Sequence, residues 1–167
     1  MILLLYGDDL FLIGDEELIA DSKRKLAAKF EMKDLSPMHY FLGLEVWKKL
    51  REIMLSQEKH VVEILKRFKM MDCKSMTTSM MTNLKLFGDT TSKIVDATLY
   101  RKMIGLLIYL TNTRPYTCFA VNTLSQYMVE LRHVHLIAAK HVLRYLKGTS
   151  DYGLQYVADC DFGLVGY

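Results

Sequence analysis

Ile2-Leu3-Leu4-Leu5-Tyr6-Gly7-Asp8-Asp9-Leu10-Phe11-Leu12-Ile13-Gly14 opens the chain with two short apolar runs on either side of Gly7-Asp8-Asp9. Both runs are rich in strand-compatible residues and the break between them is made of turn formers. The stretch therefore predicts a β-hairpin with Gly7-Asp8-Asp9 at its tip, placing two carboxylates at the end of a buried, rigid ribbon. Adjacent like charges repel one another there and resist desolvation, so they need a cation or open solvent. A hard divalent ion is the natural partner, because Mg²⁺ takes oxygen ligands, often one or two carboxylates together with substrate phosphates. Asp8 and Asp9 are the candidate catalytic and metal-binding pair; a plain solvated Asp-Asp turn is the alternative.

The bulk properties bound what surrounds this hairpin. With 167 residues, 51% of them hydrophobic and 25% charged, the chain can bury a core and is not a disordered tail. A net charge of +3 permits a polyanionic partner without demanding one. Cys73, Cys118 and Cys160 are odd in number and far apart, so neither a disulfide framework nor a zinc knuckle is implied. A reducing compartment, cytoplasmic or nuclear rather than secreted, is the simpler expectation. The apolar start is cut by Gly7-Asp8-Asp9, and Met103 to Leu110 is too short for a bilayer, so no signal peptide and no membrane span are expected.

Asp15 is placed to cap a helix running to about Phe30, with Glu16 and Glu17 in its first turn and Lys23, Arg24, Lys25 and Lys29 on its polar side, packed under the hairpin. After the break at Lys33-Asp34-Leu35-Ser36-Pro37, Met38 to Val46 predicts one strand with Gly43 inside it, a position that often marks close approach of another backbone or a ligand. Ile53-Met54-Leu55 predicts its partner. The tip between them carries Lys48, Lys49 and Arg51.

Ser56 is placed to cap a helix to about Met70, with Val61, Leu65 and Phe68 as its buried stripe and Val62 and Ile64 alongside. Periodicity fails from Asp72 to Lys93, which predicts a surface linker and an internal boundary. Three helices follow: Asp96 to Thr113, apolar nearly all round; about Tyr116 to Leu131; and about His133 to Lys147, with Gly148 as the residue after its cap. The last helix carries Lys140, His141, Arg144 and Lys147, a density that suits a phosphate backbone or, equally, a solvated helix face. His133-x-His135 lacks a Cys or acid at ligand spacing and is not read as a metal site. Gly153 to Val157 and Phe162 to Tyr167 predict two strands that open a further sheet.

Tyr6-Gly7-Asp8-Asp9 resembles the Tyr-x-Asp-Asp motif of polymerase palms, and the rest of the chain resembles one family in colinear order: the reverse transcriptase region of Ty1/copia-type retrotransposon Pol polyproteins. The similar stretches are Leu4 to Asp9, Phe30 to Leu35, Tyr40 to Val46, Leu55 to Gln57, Tyr100-Arg101, Thr113-Arg114-Pro115, Leu124-Ser125-Gln126 and Val142 to Thr149. The resemblance implies an α+β fold: an incomplete polymerase palm with two β-hairpins and packed helices, then a helical bundle and the first strands of a truncated ribonuclease H-like sheet. It divides the chain into residues 1–56 (end of the palm, with a primer-gripping hairpin), 57–71 (a thumb-like helix), 72–95 (linker), 96–148 (helical bundle) and 149–167 (ribonuclease H-like strands).

The function implied is that of an RNA-directed DNA polymerase fragment, with Mg²⁺ as cofactor, held by Asp8 and Asp9, and with an RNA or DNA primer-template and deoxynucleoside triphosphates as partners of the parent enzyme. Tyr6, Gly7, Leu42, Gly43, Lys48, Lys49, Arg51, Lys140, Arg144 and Lys147 are the expected nucleic-acid contacts. In the family a further metal-binding Asp lies on a strand upstream, with the fingers, and the ribonuclease H site lies downstream. A fragment without these polyprotein segments is expected to be inactive alone. Gly7 stands where the family usually has Val, which predicts a more flexible tip. Two other readings stay open at this point: a noncatalytic nucleic-acid-binding or decayed remnant, and the palm of an RNA-templated RNA polymerase, whose motif Tyr-Gly-Asp-Asp also resembles.

Overall fold

Strands β1 (Ile2–Tyr6) and β2 (Asp9–Ile13) pair antiparallel, with Tyr6 opposite Asp9 and Ile2 opposite Ile13. This register leaves Gly7 and Asp8 as the two loop residues and makes Asp9 the first residue of a strand, so the tip is one residue shorter than the sequence predicts. Gly7 has φ +58°, and among the loop pair only it is left-handed, the pattern of a type II′ hairpin turn that calls for glycine first. Gly7 thus fits the turn rather than loosening it. The computed structural model describes residues 1–35, 37–81, 96–129 and 131–158.

The chain divides into two compact units, Met1–Met38 and His39–Tyr167. In the first, the ribbon is not buried: every residue of β1 is exposed, and only Leu10, Phe11 and Leu12 of β2 are half-covered. Helix α1 (Glu16–Ala27) has no buried residue; Ile19, Ser22 and Leu26 are half-covered, and the Ser22 hydroxyl lies 3.1 Å from the Met1 sulfur. Asp15 occupies the N-cap position, but its side chain makes no cap bond; its carbonyl accepts from Ile19 at 3.0 Å. The basic run is tied down locally: Asp21 meets Lys25 at 2.6 Å and Arg24 at 3.4 Å, and Asp34 meets Lys23 at 2.9 Å. The bond from Lys25 holds the Asp21 carboxyl below its ordinary pKa.

The second unit joins a four-stranded antiparallel sheet to a helical core. Its strands are β3 (Tyr40–Phe41), β4 (Leu44–Lys49), β5 (Glu52–Ser56) and β6 (Gly153–Val157), adjacent in that order. Met38 to Val46 is therefore not one strand. Leu42 and Gly43 both have positive φ, +48° and +75°, and turn the chain back on itself between Phe41 and its partner Leu44. β6 also corrects the sequence reading: instead of opening a new sheet, it pairs with β5 from Ser56↔Gly153 to Glu52↔Val157. The expected strand Phe162 to Tyr167 lies outside the described residues.

Helices α2 (Glu58–Arg67), α3 (Ala97–Leu110), α4 (Cys118–Ser125) and α5 (His133–Gly148) share one apolar core. Val61, Ile64 and Leu65 of α2 lie in it with Tyr100, Met103, Ile104 and Leu107 of α3 and Ala139, Val142, Leu143 and Leu146 of α5. The helix read as thumb-like and the bundle after it thus share their buried surface.

Local chemistry explains where the helices stop. α2 ends before Met70 in a Schellman motif: Lys69 adopts φ +55°, Met70 N–H reaches the Leu65 carbonyl at 2.8 Å, and Lys69 N–H reaches Lys66 at 3.1 Å. Its N-cap is Gln57, while Ser56 Oγ accepts from Glu58 N–H at 3.2 Å. The helix expected from Asp96 to Thr113 spans Ala97–Leu110, with Asp96 as its N-cap, accepting from Thr98 N–H at 2.8 Å, a bond that lowers the Asp96 pKa. α4 is much shorter than predicted: Thr123 and Ser125 hydroxyls bond back to carbonyls of their own turn, and Arg101 draws the Met128 carbonyl to α3 with two bonds of 2.9 and 3.1 Å. Gly148 is the last helical residue, not the one beyond the cap; a Cβ there would lie 3.0 Å from Ser75 Cβ.

Candidate active site and nucleic-acid interface

The first unit supplies the candidate catalytic tip. Asp8 lies in the turn and Asp9 starts β2, so the two carboxylates leave the backbone from a bend and from the strand beside it. Both are exposed, as is Tyr6 across the ladder from Asp9. Solvent rather than a buried counter-charge accommodates their mutual repulsion. As a donor set, two exposed carboxylates on adjacent residues suit a hard cation that draws its other ligands from water and phosphate. Among the described residues there is no group of three or more His, Cys, Asp or Glu that could hold a metal ion. Asp8 and Asp9 thus fit Mg²⁺ as part of a ligand set and not as a whole one.

In the second unit, the Leu42-Gly43 turn is backed by α3. A Cβ on Gly43 would meet the Tyr109 hydroxyl at 3.0 Å, so the close approach that the sequence predicts at this glycine is made by a side chain of the same chain. Tyr109 in turn takes the edge of His60 at a ring separation of 5.3 Å. Partial burial there pushes the His60 pKa below its ordinary value, Glu63 opposing and Arg67 adding to the shift. Beneath them Gln57, fully buried, accepts from the Thr113 hydroxyl at 2.7 Å.

The longer hairpin turns at Leu50-Arg51. It presents Lys48, Lys49 and Arg51 to solvent, as the sequence predicts, with Lys49 at 3.9 Å from Glu52. The cations of α5 divide. Lys140 is exposed, but Arg144 Nε donates to the Lys74 carbonyl at 2.7 Å and Lys147 Nζ donates to that of Cys73. His141 Nε2 lies 3.0 Å from the Thr78 carbonyl, and Met76 N–H bonds to the Arg144 carbonyl at 3.2 Å. Three basic side chains of this helix therefore strap the segment 73–78 to the core, a role the charge pattern alone does not reveal. The remainder of the expected linker, 82–95, lies outside the described residues.

Arg114 is the residue sequence reading undervalued. It is fully buried, donates to the carbonyls of Thr149 and Ser150, and contacts the Tyr116 hydroxyl at 3.5 Å. Tyr116 packs edge-on against Tyr145 and Tyr152, and burial raises its pKa. A cation between a long apolar helix and a proline was the available signal.

Residues 1–82 match the family model described as reverse transcriptase (RNA-dependent DNA polymerase). Over 153 residues, 91% of the chain, the sequence is 39% identical to the Retrovirus-related Pol polyprotein from transposon RE1 of Arabidopsis thaliana, and over 160 residues, 90% of the chain, it is 36% identical to that from transposon TNT 1-94 of Nicotiana tabacum. Across most of its length the chain is similar to Pol polyproteins of Ty1/copia-type transposons, and over its first half to reverse transcriptases. An uncharacterized mitochondrial protein of Arabidopsis thaliana is 41% identical to the chain over 156 residues, 92% of the chain and 64% of that protein. The chain covers 10% and 12% of the two polyproteins, so it corresponds to a small part of each. No solved structure matches it. These relatives favour reverse transcriptase over the RNA-templated RNA polymerase that Tyr-Gly-Asp-Asp also resembles. No helix among the described residues is long and apolar enough to cross a membrane.

Proposed function

We propose that this reverse transcriptase relative is the end of a polymerase palm with its following helices, and that it contributes Asp8 and Asp9 to nucleotidyl transfer by the parent RNA-directed DNA polymerase. The observation that carries the reading is the Tyr6-Gly7-Asp8-Asp9 turn, two exposed acids at the apex of an apolar ribbon, within the stretch matched by the reverse transcriptase family. Asp8 and Asp9 would hold Mg²⁺, which would supply charge neutralisation as the primer's 3′ hydroxyl oxygen attacks the α-phosphorus of a deoxynucleoside triphosphate and pyrophosphate leaves. The type II′ turn fixes the direction in which the two acids leave the backbone. Lys48, Lys49 and Arg51, at the apex of the second unit's hairpin, hold the backbone of a primer-template by charge. Lys140, exposed on α5, adds to that field, while Arg144 and Lys147 act through the strap they hold.

In the parent enzyme a third oxygen donor from the upstream sequence completes the metal site, and without it the chain is expected to be inactive. The test is primer extension with Mg²⁺ and deoxynucleotides, by the chain alone and by the chain joined to the sequence that precedes the matching stretch in the transposon RE1 polyprotein. Extension only by the joined protein, lost in Asp8→Asn, is expected. Processive synthesis by the chain alone would overturn the need for a third donor, and synthesis that survives Asp8→Asn would overturn the role of this turn.

A further inference from the structure

Antiparallel pairing puts directly opposed residues on the same face of a sheet and alternates faces along each strand. Applied to the register of the second unit, this places Tyr40, opposite Glu45, on the same face as Trp47 and Lys49. The row through Trp47 continues across Met54 of β5 to Gln155 of β6. Tyr40 is 57% exposed, Trp47 43% and Met54 39%, although the Glu45 between the two aromatics is only 5% exposed. Two large side chains thus stand partly in solvent on a four-stranded sheet, at diagonal positions whose backbones lie roughly 7–8 Å apart.

Cations rim this face. Lys59 Nζ lies 5.4 Å from the centre of the Tyr40 ring, and Lys49 follows Trp47 on the same side of β4. Their side chains are 75% and 78% exposed, and the acids facing them, Glu45 and Glu52, stand off at 4.0 and 3.9 Å. The lysine ends are therefore free to exchange those carboxylates for a stronger anion.

We infer that this face is a stacking platform for single-stranded nucleic acid, with Tyr40 and Trp47 each taking a base and Lys49 and Lys59 the phosphates beside them. The inference rests on the polymerase reading above but concerns a different surface from the Asp8-Asp9 tip and adds residues to the hairpin contacts expected from sequence. Aromatic rings on a sheet bind successive bases because every base has a π-face, and positive charge alongside tracks the backbone. A second copy of the chain would want an apolar surface without such a rim.

Trp47 is the sole tryptophan, so the full chain reports on its own site. Titration with an oligo(dT) single strand at low salt is expected to quench its fluorescence saturably. Anisotropy of the labelled strand should show Trp47→Ala and Tyr40→Ala weakening binding by roughly 5- to 100-fold each, while Trp47→Phe, which keeps a ring, retains most of it. Circular dichroism of each variant must match the parent. Binding that leaves Trp47 unquenched and ignores Trp47→Ala would overturn the platform while leaving the polymerase reading in place. Tryptophan emission that shifts with protein concentration in the absence of oligonucleotide would instead assign the face to self-association and overturn the inference. Failure to bind any single strand or primer-template would overturn both.

Discussion

Arg114 and Thr149 are joined across the second unit: the guanidinium, wholly buried, donates one bond to the Thr149 carbonyl and a second, at 2.7 Å, to that of Ser150. These bonds fasten the end of α5 to the turn after α3, and they do so just ahead of β6. Arg114→Ala would leave both carbonyls without their charged donor and open a void where the largest fully buried side chain stood. A loss of about 3 kcal/mol is expected by urea denaturation, since bonds to charged groups are stronger than neutral ones and buried acceptors are costly to abandon. Arg114→Lys, with one donor group instead of a fork, should recover part of it.

Gly43 makes a separate prediction. With φ +75° and the Tyr109 hydroxyl 3.0 Å from the position of a Cβ, Gly43→Ala meets both left-handed strain and a crowded neighbour. A cost of about 1–2 kcal/mol is expected from the backbone alone. Removing the hydroxyl in a Tyr109→Phe background should return only the steric part. Equal stability of Gly43→Ala and the parent in denaturant would refute the turn.

His60 ties stability to pH. Its folded pKa lies below the unfolded value of 6.5, chiefly through burial beside Tyr109, so the unfolded chain binds the proton more readily. Stability from this group is therefore whole above about pH 6.5 and falls as pH drops below it towards the folded pKa. His60→Gln should flatten the part of the profile below about pH 6.5. Midpoints of thermal unfolding across this range provide the check.

Asp8 and Asp9 should behave oppositely in stability and in function. Both are exposed, so Asp8→Asn and Asp9→Asn should change unfolding free energy by no more than about 0.5 kcal/mol. In the enzyme completed by its upstream sequence, each should depress primer extension. A large stability loss in either variant would assign these acids a structural task instead.

Much of this was legible in advance because it is local. The first hairpin follows from its apolar runs and the start of α3 from Asp96, while the α+β class follows from the resemblance. What escaped depends on partners far along the chain. A positive φ at Leu42 is not written in leucine, so the sequence predicts continuous strand where the chain makes the β3–β4 turn. The basic spacing of α5 looks the same whether Arg144 faces solvent or the Lys74 carbonyl. The candidate acids are visible as a motif, but whether a third donor completes them is a matter of tertiary placement.

The pairing of β6 with β5 bears on how the polypeptide matures. Ser56 waits for Gly153, about a hundred residues later, and such distant closures are slow because the intervening loop must first surrender its freedom. Until the ribosome has delivered β6, β5 offers a bare edge to any passing chain. Polypeptides released before Gly153 should be disproportionately sticky, and β6 works as a seal on an edge that the other described strands leave open.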